Sequence, residues 1–419
     1  MAGLFGFLHR FWQISSPPTP QQPKTANALK FGILGAANIA PMALIKPAKL
    51  HPEVVVQAVA ARDKKKATAY AKKHGIPQVL DSYEDMLNDP TIDAIFIPLP
   101  NGLHYEWALK ALAKGKHVIL EKPSVSNATE AELLFRSPIL QGPKAPVLLE
   151  AFHYRFHPAW LHFVSLLDQA NIAHANVHMP IPKLLFGDDD IRFRYELAGG
   201  AMMDLTYTMS ILRGVFGSEP EECTGCEVVP MPPPNELCDG SFSGTWTFPN
   251  SATAEMHGSL RASVADLLWK EGIYVAVTHK PEVIVPGEYK EVVRTRKVTL
   301  HNFVQPALWH RIDLEEETVV RRTDGSGEVL SKTNTKTHKK VYTFQDAGIS
   351  GHDSKPYWVT YSHQLDAFVD RVRGREGTGA WVDAEDSINQ MRMIDMAYEK
   401  SSLPVRPTSK FRLTEGGAA

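Results

Sequence analysis

Residues 30–40 read KFGILGAANIA, an apolar run that ends in a glycine turn and continues into a helix-compatible stretch. A strand, a tight turn and a helix start in this order form a cradle for phosphate, because the free N–H groups and the dipole of a helix N-terminus attract an anion. Gly35, Ala37 and Ala40 occupy the positions of the three glycines in the dinucleotide-binding fingerprint G-x-G-x-x-G. Alanine still allows a close backbone approach, so the stretch predicts a dinucleotide-binding unit.

A second signal is the tripeptide Glu121-Lys122-Pro123, which follows the apolar run HVIL at 117–120. Parallel sheets bind their ligands at the carboxyl edge, so a lysine at the end of a later strand would reach the same crevice as the Gly35 turn. Pro123 fixes the backbone there and would aim the Lys122 ammonium, whereas most lysines lie free on the surface. Together the two signals indicate an enzyme that uses a nicotinamide cofactor.

Composition limits the classes of protein to consider. The 419 residues are 43% hydrophobic and 22% charged with a net charge of −2, which is typical of a two-domain globular protein without the basic excess that nucleic acid binding requires. Three cysteines in so long a chain favour a reducing compartment, and we expect the cytoplasm. Cys223 and Cys226 have the spacing of half a zinc site, but no second pair follows, so we expect free thiols and no metal.

The N-terminal residues 3–12 read GLFGFLHRFW, which is aromatic and apolar but interrupted by His9 and Arg10. Without a long apolar run or a small-residue cleavage site, we expect neither a membrane span nor a signal peptide. The segment has the character of a short amphipathic helix, and packing on the body of the protein or on a second subunit is favoured over contact with a membrane surface. The proline-rich residues 15–23 predict a stiff linker.

Apolar runs alternate with helical patterns from residue 30 to residue 152, which predicts a doubly wound parallel sheet. Beyond residue 152 there is one helical region near 201–216, followed by segments in which apolar and polar residues alternate. This change predicts a second, α+β domain with a mostly antiparallel sheet. The charged segment 321–340 predicts a hairpin or a loop, and 361–372 a helix.

The residues after the second predicted strand bear on the choice of nicotinamide cofactor. Arg62 stands there, followed by Asp63 and three lysines ending at Lys66. Arginine at this place favours the 2′-phosphate of NADP, whereas NAD enzymes use an acidic residue for the ribose hydroxyls. Arg62 and Lys66 therefore predict NADP, and two alternatives stay open: Asp63 serving NAD, or a basic, solvated helix start.

Several motifs resemble the Gfo/Idh/MocA oxidoreductases: GILGAANIA at 32–40, AARD at 60–63, PLPNGLH at 98–104, EKP at 121–123, EAFHYRFHP at 150–158 and GGAMMD at 199–204. The resemblance runs from about residue 30 to residue 407 and is strongest to the branch of dimeric dihydrodiol dehydrogenase and NADP-dependent D-xylose dehydrogenase, fungal homologues above all. It implies an arm and linker at 1–27, a Rossmann domain at 28–152, a substrate-binding and dimerisation domain with an open sheet at 153–407, and a tail at 408–419. A homodimer or a larger homo-oligomer is expected.

The resemblance implies that Lys122 lies near the nicotinamide and a substrate hydroxyl. Relatives place a Tyr or His four residues after an Asp, but here Asp204-Leu-Thr-Tyr207 is one residue shorter, so the helix alignment selects Tyr207 and the count selects Thr208. We favour Tyr207, since only a phenol can titrate usefully, with Lys122 stabilising the phenolate of a general base. Asp204 would orient this pair or bind a sugar hydroxyl; capping a helix is the alternative.

The resemblance also implies a set of residues around the cofactor and a few along the substrate. The predicted cofactor residues are Gly35, Ala37, Asn38, Ile39, Arg62, Lys66, Leu99, Pro100, Asn101, His104, Glu121, Lys122, Glu150 and Arg155. For His104 a plain helix-start role is the alternative. The predicted substrate residues are His153, Arg192 and Arg194, which the sequence does not rank.

The expected reaction is hydride transfer to NADP⁺ from a polyhydroxylated substrate, such as D-xylose, which gives a lactone. Three alternatives stay open: oxidation of a trans-dihydrodiol, reduction of a carbonyl on a larger metabolite, and an NADP-binding regulatory protein without catalysis. The displaced tyrosine is the feature that keeps the last alternative open. A shared fold does not decide among substrates.

Overall fold

The computed structural model describes residues 2–18, 23–263 and 272–413, and the side chains of helix α1 from residue 6 onward. Part of the predicted linker (residues 19–22) and part of the predicted tail (residues 414–419) lie outside the described residues. The first sheet has six parallel strands in the order β3-β2-β1-β4-β5-β6. These strands are β1 (Leu29–Leu34), β2 (Val54–Ala60), β3 (Gln78–Leu80), β4 (Ala94–Ile97), β5 (His117–Leu120) and β6 (Leu148–Glu150).

The order reverses next to β1, where β4 lies on the side opposite β2, and a crevice forms at such a switch point. Every residue of β4 is buried, as expected for a strand covered on both faces. The helices of the first part of the chain are α1 (Ala2–Ser15), α2 (Lys46–Leu50), α3 (Lys64–His74), α4 (Tyr83–Asn88), α5 (His104–Ala113) and α6 (Ala128–Phe135). The predicted doubly wound sheet is therefore confirmed, and β3 with α4 are the elements that the sequence pattern missed.

The second sheet has nine strands in the order β15-β14-β13-β11-β7-β10-β9-β8, with β12 paired to β13. They are β7 (Ile172–Pro182), β8 (Glu222–Pro230), β9 (Asp239–Phe248), β10 (Ala252–Ala262), β11 (Tyr274–His279), β12 (Glu282–Val285), β13 (Lys290–His301), β14 (Arg311–Arg322) and β15 (Val329–Lys339). Among the described strands of this sheet, only β7 and β10 pair in parallel, so the sheet is mostly antiparallel, as predicted. Strand β15 pairs with β14 in antiparallel, so the charged segment 321–340 is part of a hairpin and not a loop.

The helices of the second part of the chain are α7 (Pro158–Ser165), α8 (Ala201–Asp204), α9 (Tyr207–Phe216), α10 (Phe344–Ala347), α11 (Thr360–Val372) and α12 (Ala384–Lys400). Helix α9 packs on β7 and β10, and α12 packs on both α6 and β8. Buried side chains from both sheets and these helices form one continuous hydrophobic cluster. The two sheets therefore meet through helices, and α8 and α9 are carried to the edge of the first sheet.

The N-terminal helix α1 packs on the body of the protein, as favoured from the sequence. The Arg10 guanidinium donates to the carbonyl oxygen of Ala307 at 2.7 and 3.1 Å and lies 4.0 Å from the centroid of the Tyr342 ring. Burial lowers the pKa of Arg10. Within the described ranges of the chain, no helix is long and apolar enough to cross a membrane.

Candidate active site

A cleft of about 590 Å³ follows the carboxyl edge of the first sheet. One wall consists of residues that come directly after strands β1, β2, β4 and β5, and the other consists of residues 191–207 and Tyr361 from the second part of the chain. The cleft contains these predicted residues: Gly35, Ala37, Asn38, Ile39, Arg62, Lys66, Leu99, Pro100, Asn101, Glu121, Lys122, Arg192, Asp204 and Tyr207. The Gly35 turn and the Glu121-Lys122 pair, which are distant in sequence, thus line the same cleft.

Gly35 sets the shape of the nucleotide end of the cleft. Its φ of +98° lies in the region that only glycine adopts readily, and a Cβ there would lie 3.3 Å from Cδ2 of Leu99. Its N–H donates to the carbonyl oxygen of Ala60 at 2.7 Å, which ties the turn to β2. Residues 36–39 then line the cleft, and the chain enters a helical segment at Pro41 that continues into α2. This cradle fits the pyrophosphate of a dinucleotide.

Arg62 and Lys66 line the cleft where β2 ends and α3 begins. The Asp63 carboxylate accepts the backbone N–H of Lys66 at 3.1 Å and so caps α3. Because this cap already occupies Asp63, the exposed Arg62 guanidinium is the stronger candidate for contact with an adenosine ribose or its phosphate. The local charge is therefore basic, which fits a 2′-phosphate.

The loop after β4 carries Leu99, Pro100 and Asn101 along the cleft, and the Asn101 amide donates to the carbonyl oxygen of Ala198 at 3.0 Å. His104 does not line this cleft. Its ring is fully buried, with Nδ1 2.9 Å from the carbonyl oxygen of Pro123 and Nε2 2.8 Å from that of Leu99. Burial lowers the pKa of His104 to about 4, and the hydrogen bonds to the two carbonyl oxygens oppose this shift. The structure instead gives His104 the role of a clamp between two cleft loops.

Lys122 is held by Asp204. Its ammonium donates to the backbone oxygen of Asp204 at 2.8 Å and to Oδ1 at 3.0 Å, while Nε of Arg192 lies 3.3 Å from Oδ2 of the same carboxylate. Burial alone would raise the pKa of Asp204, but the Lys122 and Arg192 charges outweigh it and the pKa is lowered. Asp204 ends α8, and its side chain is used for these ion pairs, not for a helix cap. Asp204 thus contacts Lys122, one member of the predicted Lys122 and Tyr207 pair, and its orienting role stays a prediction.

Tyr207 begins α9 and lines the cleft, whereas Thr208 points away from it. The Thr208 hydroxyl is buried and donates to the carbonyl oxygen of Leu205 at 3.1 Å. The Tyr207 hydroxyl lies 2.9 Å from Nε2 of His153, and the Lys122 ammonium lies 5.0 Å from the centroid of the Tyr207 ring. Of the two residues that the sequence left open, only Tyr207 presents its side chain to the cleft.

The electrostatics of Tyr207 differ from the expectation. We expected Lys122 to ease ionisation of the phenol, but burial raises the pKa of Tyr207 well above its usual value, and Glu121 and Asp204 add to this. The Lys122 ammonium contacts the ring face, and its donors point to Asp204. Tyr207 is therefore a neutral phenol in this protein, because a dry site and nearby carboxylates oppose a phenolate.

Besides His104, four predicted residues do not line the cleft. Glu150 is fully buried behind it, where its carboxylate accepts the N–H of Ser124 at 2.8 Å and burial raises its pKa to about 7. Arg155 instead pairs with Asp386, and Arg194 is exposed outside the cleft. His153 lies behind Tyr207. In each case the local motif was visible, but the direction of the side chain was not.

Sequence reasoning missed much of the second wall. The missed residues of the second wall are Ile191, Leu197, Gly199, Gly200 and Tyr361, and those of the first wall are Ala36, Ala61, Tyr83, Pro98 and Leu103. Gly200 has a φ of +130°, and a Cβ there would lie 2.3 Å from Oδ1 of Asp239. The buried Arg406 donates to that oxygen at 2.9 Å and to the carbonyl oxygen of Gly199 at 2.6 Å. Adjacent glycines before a helix were the one available signal for this wall.

Comparison with known proteins now adds to this geometry. Residues 29–138 match the family described as an oxidoreductase family with an NAD-binding Rossmann fold, Gfo/Idh/MocA. A D-xylose 1-dehydrogenase (NADP(+)) from Haloferax volcanii is 37% identical over 235 residues, which are 55% of this chain and 69% of that protein. The chain belongs to the Gfo/Idh/MocA family.

Two further relatives differ in the reactions that their names state. A dTDP-3,4-didehydro-2,6-dideoxy-α-D-glucose 3-reductase from Actinomadura kijaniata is 30% identical over 84% of this chain and 97% of its own length. A trans-1,2-dihydrobenzene-1,2-diol dehydrogenase from Xenopus tropicalis is 34% identical over 47% of this chain and 60% of that protein. The predicted family and its dihydrodiol and xylose branch are confirmed.

Solved structures agree on the fold. A variant of a 3-ketoreductase from Actinomadura kijaniata, in complex with TDP-benzene and NADP, superposes with a TM-score of 0.66 at 21% identity and covers 91% of this chain and 100% of its own. This chain, as a member of the Gfo/Idh/MocA family, is an NAD(P)-dependent oxidoreductase. The predicted cofactor, NADP, is also the cofactor named for the Haloferax volcanii relative and the one bound in the ketoreductase structure.

Proposed function

We propose that this oxidoreductase transfers hydride between a CH–OH group of a polyhydroxylated substrate and NADP, with an aldose such as D-xylose oxidised to its lactone. The observation that carries the proposal is the Lys122, Asp204 and Tyr207 cluster, which lies in the same cleft as the Gly35 cradle. The name of the Haloferax volcanii relative supports the aldose. Both a nucleotide site and proton-carrying side chains are needed for this reaction, and the cleft contains both.

The residues that would hold NADP are those of the first wall. The Gly35 turn would take the pyrophosphate, Arg62 and Lys66 the 2′-phosphate, and the loop of Leu99 to Asn101 the remainder of the nucleotide. When bound, the nicotinamide ring accepts or returns the hydride. The protein's own share of the chemistry is orientation of the substrate and movement of the hydroxyl proton.

Asp204 and Arg192 are the polar groups that would bind substrate hydroxyls beside Lys122. The carboxylate accepts and the guanidinium donates, so the two together can hold neighbouring hydroxyls of a sugar. Tyr207 lines the same cleft, and its hydroxyl would exchange a proton with the reacting oxygen. The Lys122 ammonium donates to Asp204 and lies over the Tyr207 ring, so it would hold this carboxylate beside the reacting groups.

Ketone reduction is the second candidate. The Actinomadura kijaniata relative, named as a sugar-nucleotide 3-reductase, aligns over 97% of its own length. A neutral, high-pKa Tyr207 is a suitable proton donor for a carbonyl oxygen.

Dihydrodiol oxidation is a further alternative, which would give a ketone that aromatises to a catechol. The homodimer and the cytoplasmic location remain predictions.

The test measures reduced nicotinamide by its absorbance, with NADP⁺ and D-xylose, D-glucose or a trans-dihydrodiol, and with NADPH and a keto sugar nucleotide. We expect turnover with an aldose, and a loss in kcat of about 10²- to 10⁴-fold in Tyr207→Phe and in Lys122→Met. Thr208→Val is the matched control and should retain activity. Tight NADPH binding without turnover on any of these compounds would refute the proposal and favour a regulatory protein.

A further inference from the structure

His153 lies behind Tyr207 in an arrangement that the proposed mechanism does not use. It begins the helical turn at His153–Phe156 and is 1% exposed. One face of its ring packs on Tyr361, with ring centroids 4.0 Å apart, and it meets the Tyr207 ring edge-on at 5.5 Å. Its Nε2 is 2.9 Å from the Tyr207 hydroxyl oxygen. The imidazole is therefore fixed on two sides and aimed at one atom.

Tyr207 needs such a partner if it is to accept a proton. A free phenolate is opposed by burial and by the negative charges of Glu121 and Asp204. Lys122 does not supply the missing stabilisation, since two of its donors bond to Asp204 and its ammonium lies over the ring face. Tyr207 can take a proton from a substrate hydroxyl only if its own proton leaves in the same step.

We propose that His153 is a positioning residue that holds the hydroxyl proton of Tyr207 and receives it while the substrate is oxidised. This inference rests on the proposed function. It assigns His153 a role through Tyr207, in place of the direct substrate contact expected from the sequence. The Tyr207 hydroxyl then donates to Nε2, which leaves the lone pairs of its oxygen free to accept the substrate hydroxyl.

The proton inventory of this step balances. The substrate carbon gives up its hydrogen with the electron pair as hydride to NADP⁺, and the substrate hydroxyl proton passes to the Tyr207 oxygen. The Tyr207 proton passes to Nε2 of His153, which becomes an imidazolium. Burial lowers the pKa of His153 to about 3, so the ring starts neutral and the imidazolium is only transient. It returns its proton to the Tyr207 oxygen, and the proton that this oxygen took from the substrate leaves to solvent through the cleft with the product. Ketone reduction is the same step in reverse.

The tautomer required is the one with hydrogen on Nδ1. That nitrogen has no hydrogen-bond partner among the described residues, so no contact there locks the opposite tautomer. The Tyr361 ring, tilted by 41° against the imidazole with the ring centroids 4.0 Å apart, restricts rotation of the imidazole. A neutral imidazole whose Nε2 lone pair faces a phenol hydroxyl at hydrogen-bond distance can accept the proton of that hydroxyl.

The test is a double-mutant cycle. His153→Phe keeps the ring that packs on Tyr361 but removes both nitrogens, and His153→Gln keeps a hydrogen-bond acceptor that cannot hold a proton. We expect both to lower kcat about 10- to 100-fold with KM and the dissociation constant for NADPH nearly unchanged. In the Tyr207→Phe background, His153→Phe should change kcat by less than about two-fold, because the partner is already gone.

The matched control is His363→Phe. His363 is also buried, is 2% exposed, has no hydrogen-bond partner among the described residues and does not line the cleft. It should retain the wild-type kcat. Nitrogen NMR of the free protein adds a readout independent of turnover: the Nε2 resonance of His153 should shift when Tyr207 becomes Phe.

The outcomes separate the two proposals. A wild-type kcat in His153→Phe would overturn the inference and leave the proposed function intact. The same holds if His153→Phe lowers kcat equally in the wild-type and Tyr207→Phe backgrounds, because an equal loss indicates a structural effect. Full activity in His153→Gln would overturn the proton transfer. An inactive wild type would refute the proposed function and with it the transfer step, whatever the NMR result for the pair.

Discussion

Replacing Arg62 by Ala should weaken NADPH binding and leave NADH binding nearly unchanged. Arg62 lies at the end of β2 in the wall of the cleft, and Asp63 beside it is committed to capping α3. The two cofactors differ only by the 2′-phosphate, so a residue that contacts this group affects one of them. We therefore expect the choice between NADP and NAD to depend on the exposed Arg62 guanidinium and on Lys66.

The magnitude follows from the exposure of Arg62. Two unit charges 4 Å apart attract by about 1 kcal/mol in water and about 4 kcal/mol at a protein surface of lower dielectric constant. Arg62 is exposed, so solvent screening favours the lower end, about 1 to 2 kcal/mol. This corresponds to an increase of about 5- to 30-fold in the dissociation constant for NADPH. The effect should shrink at high salt, since exposed charges are screened.

Fluorescence titration with NADPH and with NADH measures both constants at low and high ionic strength. Lys65→Ala is the matched control, because Lys65 is exposed in the first turn of α3, three residues after Arg62, but does not line the cleft. Equal weakening of NADPH and NADH by Arg62→Ala would contradict the assignment. If Lys65→Ala weakens NADPH binding as much as Arg62→Ala does, the weakening reflects the general positive charge of this region and not a contact between Arg62 and the 2′-phosphate.

Two further predictions concern stability. The folded-state pKa of Glu150 is raised to about 7 from 4.5, so its contribution to stability is present below pH 4.5 and is lost as pH rises through 7, by about 3 kcal/mol. Glu150→Gln should therefore flatten the fall in melting temperature between pH 5 and pH 8, and a parallel fall would contradict this. Arg406→Met should destabilise the protein by about 3 to 5 kcal/mol, since it leaves the buried Asp239 charge unpaired. Denaturant unfolding measures this loss, and Asp239→Asn in the same chain should recover part of it.

Local patterns were sufficient for the elements of the first sheet. An apolar run bounded by turn residues signals a strand covered on both faces, because its burial leaves no polar side. The short strand Gln78–Leu80 escaped, since three residues are too few to show a pattern. In the second sheet, β7 escaped because it mixes His, Asn and Pro with apolar residues, although it lies at the centre of the sheet.

Some residues of the candidate site could be predicted from local sequence, and others could not. Gly35, Arg62 and Lys122 were accessible because each directly follows a strand, and parallel strands bring their carboxyl ends to one edge. The contacts between Lys122 and Asp204 and between Tyr207 and His153 were not accessible, since they join residues 82 and 54 positions apart. Neither spacing nor composition reports which way those side chains turn.

By itself the sequence determined the parallel sheet, the nucleotide cradle and the family, because each depends on short stretches whose local pattern carries the information. Tertiary structure alone decided that Tyr207 is a neutral phenol against His153, that His104 is a clamp, and that Glu150 lies behind the cleft. The physical reason is burial: desolvation and long-range hydrogen bonds set the protonation and direction of these groups, and both arise only when distant segments pack together.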